Sequence, residues 1–114
     1  MARVIITHEL EQEIHKQFKE GSVHVFKLLL TLEDNPKKGK ALCHVGKIVL
    51  KELKYGSYRF YFITEGYKVK FLQGDELKDL LIKFVRMSDK KAQSNVIHEI
   101  KAMLRELGSE GVYD

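Results

Sequence analysis

The chain is poor in the features that most often announce a function. Among 114 residues there is one cysteine, Cys43, so no intramolecular disulfide can form and no cysteine-based zinc site exists. No apolar run approaches the roughly 20 residues that a membrane-spanning helix needs. The apolar part of the opening MARVIITHELEQ is too short for a secretory leader, so a cytoplasmic protein with no membrane partner is expected. His8, His15, His24, His44 and His98 show neither an HExxH motif nor a paired Cys/His spacing, which argues against a metal site. Cys43 precedes His44, but neighbours on a strand point to opposite faces, so a thiol–imidazole pair is not supported. There is no Walker loop, no GxGxxG, no internal repeat and no low-complexity linker. No cofactor is expected.

What is there describes one folded domain. Hydrophobic residues make up 44% and charged residues 32%, an ordinary balance for a globular protein, and the length suits a single core. Lys and Arg number 20 against 16 acids, a net charge of +4, which tilts the expected partners toward nucleic acid or another acidic molecule.

The hydrophobic pattern predicts an order of elements. Arg3 to Thr7 is a short strand ending at a threonine placed to cap the next helix, in which Leu10, Ile14 and Phe18 share a face. Gly21 ends that helix, and Ser22 is placed to cap a second one with the stripe Val25, Leu28, Leu29 and Leu32, broken by Asp34-Asn35-Pro36. After the loop PKKGKAL the period turns from helical to alternating. Four strands are expected, over 48–54, 58–63, 68–72 and 80–87, separated by Tyr55-Gly56-Ser57, Glu65-Gly66 and Gln73-Gly74-Asp75. Short connections favour an antiparallel meander. Ser88 or Asp89 then caps a last helix with Val96, Ile100, Met103 and Leu107 on one face, before a tail over 108–114 expected to be loose. The fold class is α+β: an N-terminal strand, a helical hairpin, a twisted antiparallel sheet and a C-terminal helix over residues 1–107. With the helices on one sheet face, the other is expected to be open, concave and basic.

Tyr58, Phe60 and Phe62 alternate with Arg59, Tyr61 and Ile63 in YRFYFI, which puts a purely aromatic face toward the core and a guanidinium on the other. RVIITHELEQEI, the helical hairpin ending in NPKKGKAL, LKELKYGSYRFYFI and LIKFVRMSDKKAQSNVIHEIKAML together resemble the RelE/ParE superfamily of toxins from toxin–antitoxin pairs. The match runs from Arg3 to Leu107, and Glu-Leu-Lys, a turn and Tyr-Arg lean toward the RelE and HigB branches.

That resemblance implies a ribosome-dependent messenger RNA endoribonuclease, working without a metal, with a cognate antitoxin, the ribosome and its messenger RNA as partners and a homodimer left open. It implies a site in which Arg59 stabilises the phosphate and the transition state, aided by Lys54 and Arg86, with Lys51, Tyr61, Lys90 and Lys91 binding RNA. Lys51 and Lys54 point to opposite faces, so only one of them can share the site, and Lys54 is favoured. Tyr61 shares the Arg59 face and is expected to stack on bases. The chain departs from the family pattern by carrying no tyrosine between Ala92 and Ile97, where the known ribonucleases have one; His98 is a weak substitute. A catalytically inactive binding module and a ParE-type topoisomerase poison therefore stand as alternatives, as does a basic nucleic-acid-binding domain with no toxin ancestry. The plain structural reading of Arg59 is a cross-strand pair with Glu52. Phe26 and Leu30, off the core stripe of the second helix, are expected to meet an antitoxin segment.

Overall fold

Thr7 divides the first strand from the first helix. In the computed structural model, which describes residues 1–107, β1 (Arg3–Ile6) is followed by α1 (His8–Phe18), and the Thr7 hydroxyl accepts the Leu10 amide hydrogen bond at 3.3 Å, satisfying one of the donors a helix start leaves free. The expected loose tail over 108–114 lies outside the described residues. A tight turn at Lys19–Gly21 leads into α2 (Ser22–Leu30). Ser22 does not cap this helix, as the sequence suggested. Its hydroxyl is buried and donates to the Ile14 carbonyl at 3.1 Å, tying α2 back onto α1.

Beyond the hairpin come β2 (Lys40–Val45), β3 (Ile48–Tyr55), β4 (Tyr58–Glu65), α3 (Gly66–Phe71), β5 (Leu81–Asp89) and α4 (Gln93–Leu107). The strands form one five-stranded sheet in the order β1-β5-β4-β3-β2. Pairing is antiparallel from β2 through β5, but β1 runs parallel to β5, with Arg3 opposite Leu81 and Ile6 opposite Phe84. The sheet is therefore mixed, not the fully antiparallel one expected.

Two further expectations are corrected. The segment 68–72, read as a strand, lies in α3 and its exit, with Val69 and Leu72 packed toward the core. Strand β2 was not anticipated, and a register shift between Ala41 and Cys43 interrupts the alternation that would have marked it. Ahead of it, Gly39 takes φ +103°, and any Cβ there would lie 2.8 Å from the Phe62 ring, so the loop closes onto the sheet only with glycine at this position.

Both faces of the sheet are covered. On one, Leu10 and Ile14 of α1 and Val25 and Leu29 of α2 pack with Leu32 on Leu53, Phe60, Phe62, Ile82 and Phe84. Each such fully buried side chain is worth about 1.5–3 kcal/mol. On the other face, α4 lays Val96, Ile100 and Leu104 over Ile48, Leu50, Tyr61 and Ile63. The open second face foreseen from the sequence is thus occupied through its middle. The buried line of α4 follows i, i+4, i+8, and this turns Met103 and Leu107 outward, 38% and 56% exposed, where the sequence reading had put them on the buried face. None of the described helices is long and apolar enough to cross a membrane.

Candidate functional site

Helix α4 begins at Gln93, so it leaves uncovered the end of the sheet formed by the β3–β4 turn and the exit of β5. Register decides what points there. Lys54 lies directly opposite Arg59, Arg59 opposite Ser88, and Tyr61 opposite both Glu52 and Arg86. Directly opposed residues of an antiparallel pair project to the same side. Arg59, Lys54, Glu52, Tyr61, Ser88 and Arg86 therefore share the α4 side of the sheet.

Their environments differ sharply. Arg59 is half-buried; its Nη1 donates to the carbonyls of Tyr58 at 3.2 Å and Gly56 at 3.4 Å, while its buried Nε has no protein partner. No carboxylate lies within ion-pair distance of it among the described residues. The plain pairing with Glu52 is not made. Glu52 is buried, and its carboxylate accepts instead from the Gln93 side chain at 3.0 Å, at the start of α4. Lys54, the cross-strand neighbour of Arg59, is exposed. Two like charges directly across a ladder oppose folding, and neither makes an ion pair among the described residues.

Lys90 and Lys91 follow directly on β5 and are both exposed, in the turn where Asp89 accepts the Ala92 amide at 2.8 Å. The strand they extend is the one that sets Ser88 against Arg59. Arg86 shares the face and makes an exposed ion pair with Glu99 of α4 at 2.9 Å.

The structure removes two residues from the expected RNA-binding set. Tyr61 is 0% exposed, packed beneath α4 with its hydroxyl 2.8 Å from Ser88 Oγ, and no base can stack on it. Burial raises its phenol above the usual range; the Ser88 hydrogen bond and the Arg59 charge oppose this, and Glu52 and Asp89 reinforce it. Lys51 points to the hairpin face. It is 4% exposed, donates to the Lys37 carbonyl at 3.0 Å and sits 5.7 Å over the Phe62 ring. Burial, then the neighbouring Lys37 charge, hold its amine below the ordinary lysine value. Strand alternation had already separated Lys51 from Lys54; it could not say which would be enclosed.

What the sequence did not single out is the polar floor of this site, Glu52, Ser88 and Gln93. Glu52 entered only as a bland partner for Arg59, and Gln93 meets it across 41 positions, a contact without local signal. Elsewhere, Leu30 is 42% exposed and Phe26 partly buried beside the His15 ring, so neither is wholly enclosed by the core.

Comparison with known proteins yields no relative: no family model, no curated protein and no solved structure matches this chain.

Proposed function

We propose that this chain binds RNA phosphate at the Arg59 end of its sheet and acts as a toxin-like, metal-independent endoribonuclease of the RelE/ParE type on ribosome-bound messenger RNA. The observation that carries the reading is Arg59 itself: a half-buried guanidinium with an unpartnered Nε, facing Lys54 and lacking any carboxylate partner among the described residues. A phosphate can meet this guanidinium only at its outer edge, since Nε is buried and Nη1 already donates to two carbonyls, and charge-assisted hydrogen bonds made there are strong. The order of strand, helical hairpin, sheet and terminal helix also suits the family that the sequence resembles.

Cleavage of this kind transfers the ribose 2′-OH proton to a base while the 2′-oxygen attacks the adjacent phosphorus. The bond to the 5′-oxygen then breaks, and an acid protonates that leaving oxygen. Arg59 is placed to stabilise the charge that gathers on the phosphorane, with Lys54 and the Lys90–Lys91 pair adding positive potential. Arg86, in its exposed pair with Glu99, adds further positive potential on the same face.

A second reading has an observation in its favour. The one tyrosine on this face among the described residues is locked under α4, and no tyrosine stands in the first turns of α4, which suits a binding module that has kept the anion site without the proton-transfer groups. Primer-extension mapping of messenger RNA on translating ribosomes separates the two. The expected result is cleavage by the wild-type protein and none by Arg59→Ala, with thermal stability changed by no more than about 1 kcal/mol. Salt-sensitive ribosome binding without any cut supports the module. Inhibition of gyrase supercoiling in place of cleavage supports the topoisomerase poison.

A further inference from the structure

At the other end of the β3–β4 ladder, α3 lies against the β2–β3 turn and forms the wall of a groove of about 520 Å3 lined by His44, Lys47, Gly66, Tyr67, Lys70 and Phe71. Helix α3 uses Val69 and Leu72 for packing against the core. Tyr67 and Phe71, one helical turn apart, do not take part: they are 64% and 58% exposed, with ring centroids 4.9 Å apart and planes tilted by 44°. Scattered apolar residues on a surface need no explanation. Two large rings held together, on the face of a short helix that contributes nothing to the core, do.

Cations outnumber acids around the rings. Lys70 Nζ sits 5.4 Å from the Phe71 centroid, and Lys47 lies across the groove. Glu65, the one acid among the lining residues, is taken by Lys68 at 3.4 Å. Neither Lys47 nor Lys70 has an ion-pair partner among the described residues. The floor is firmly held, since the Gly66 amide donates to the Lys47 carbonyl at 2.9 Å and a Cβ on Gly66 would come within 3.2 Å of the His44 ring.

We infer that this groove is a stacking site for single-stranded RNA, with Tyr67 and Phe71 taking the bases and Lys47 and Lys70 the flanking phosphates. Exposed aromatic rings interleaved with unpaired cations are the combination that binds single strands with little regard to sequence. An apolar protein segment needs the rings but gains nothing from the cations. The inference rests on the RNA reading of the Arg59 end for its class of polymer, but not on cleavage.

Fluorescence anisotropy of a labelled oligoadenylate tests it, using the full chain, an abasic strand of equal length, and the variants Arg59→Ala and Tyr67→Ala/Phe71→Ala. The double variant is expected to bind at least about ten-fold more weakly, with an unchanged dependence on salt, because stacking releases no counterions. Arg59→Ala is expected to lower the salt slope by about one. The abasic strand should bind the wild type about as weakly as the intact strand binds the double variant. Tyr67→Phe, which keeps the ring, should bind normally. Four results overturn the inference: no binding of the oligonucleotide by the wild type, equal binding by the double variant, equal binding of the abasic strand, or loss of a protein partner from the double variant while its RNA affinity is intact. If no messenger RNA is cut on ribosomes but the oligonucleotide results hold, the groove assignment stands and the nuclease reading alone falls.

Discussion

The two faces of the sheet treat their cations in opposite ways. On the hairpin face, the single lysine among the rings is drawn inside: the Lys51 amine is spent on the Lys37 carbonyl and the Phe62 ring. On the α4 face, Lys54 and Arg59 stand opposite each other at the end of the sheet, with Glu52 close by in sequence yet turned to Gln93. The difference sets a face whose lysine is absorbed into the packing against a sheet end where a guanidinium has no ion-pair partner among the described residues.

The contrast is most exposed to test in the core. Phe60→Ala, on the hairpin face, should destabilise by about 3–5 kcal/mol in a denaturant melt, because a fully buried ring is lost from the larger cluster. Ile100→Ala, in the smaller cluster beneath α4, should cost about 2–5 kcal/mol in the same melt. Tyr61→Phe removes a buried hydroxyl but leaves Ser88 without its partner, for about 1–2 kcal/mol; ribosomal cleavage should survive, since the phenol does not meet RNA. Arg86→Ala breaks an exposed ion pair with Glu99 and should change stability by less than about 1 kcal/mol.

The smallest effect concerns pH. Folding lowers the Lys51 pKa below 10.5. Between the folded value and 10.5 the unfolded chain therefore binds more protons, and stability rises with pH across that window. The rise should be absent in Lys51→Met. Tyr61 acts in the opposite sense: its phenol is raised above 10.0, so its contribution is present below that pH and is lost as the pH climbs through the folded value. A tyrosinate absorbance titration should show a phenol that ionises above the ordinary tyrosine range, and that component should disappear in Tyr61→Phe.

Local patterns carried the α+β composition, the Thr7 cap, both helices of the hairpin and the β3–β4 ladder through YRFYFI, because each is determined by spacing within a few residues. They failed where spacing is ambiguous or the partner is distant. In 68–72, Val69 and Phe71 alternate as in a strand, yet Tyr67 with Phe71 and Val69 with Leu72 also suit helical spacing; packing against the core decided for the helix. The parallel pairing of β1 with β5 joins the first strand to the last one described and leaves no trace in either segment. At the candidate site, the alternation in YRFYFI assigned Arg59 to its face, but enclosure of Tyr61 depended on where α4 lies, and Glu52 became its buried neighbour through Gln93.

The place of β5 in the sheet bears on how this chain is made. It is a central strand, between β1 and β4, yet it is the last strand in sequence. During synthesis, β1 with its helical hairpin and the β2–β4 meander leave the ribosome as two parts with no strand to join them. Until residues 81–89 emerge, β4 keeps an unpaired edge and the Phe60 and Phe62 rings lack Phe84 and Ile82, the exposed condition in which nascent chains associate wrongly. Closure then demands the most widely separated pairing in the molecule, which slows folding relative to any local contact. Whatever activity resides at the Arg59 end is therefore withheld until nearly the whole described chain has been translated, because Ser88, Lys90 and Lys91 arrive with the strand that locks the two parts together.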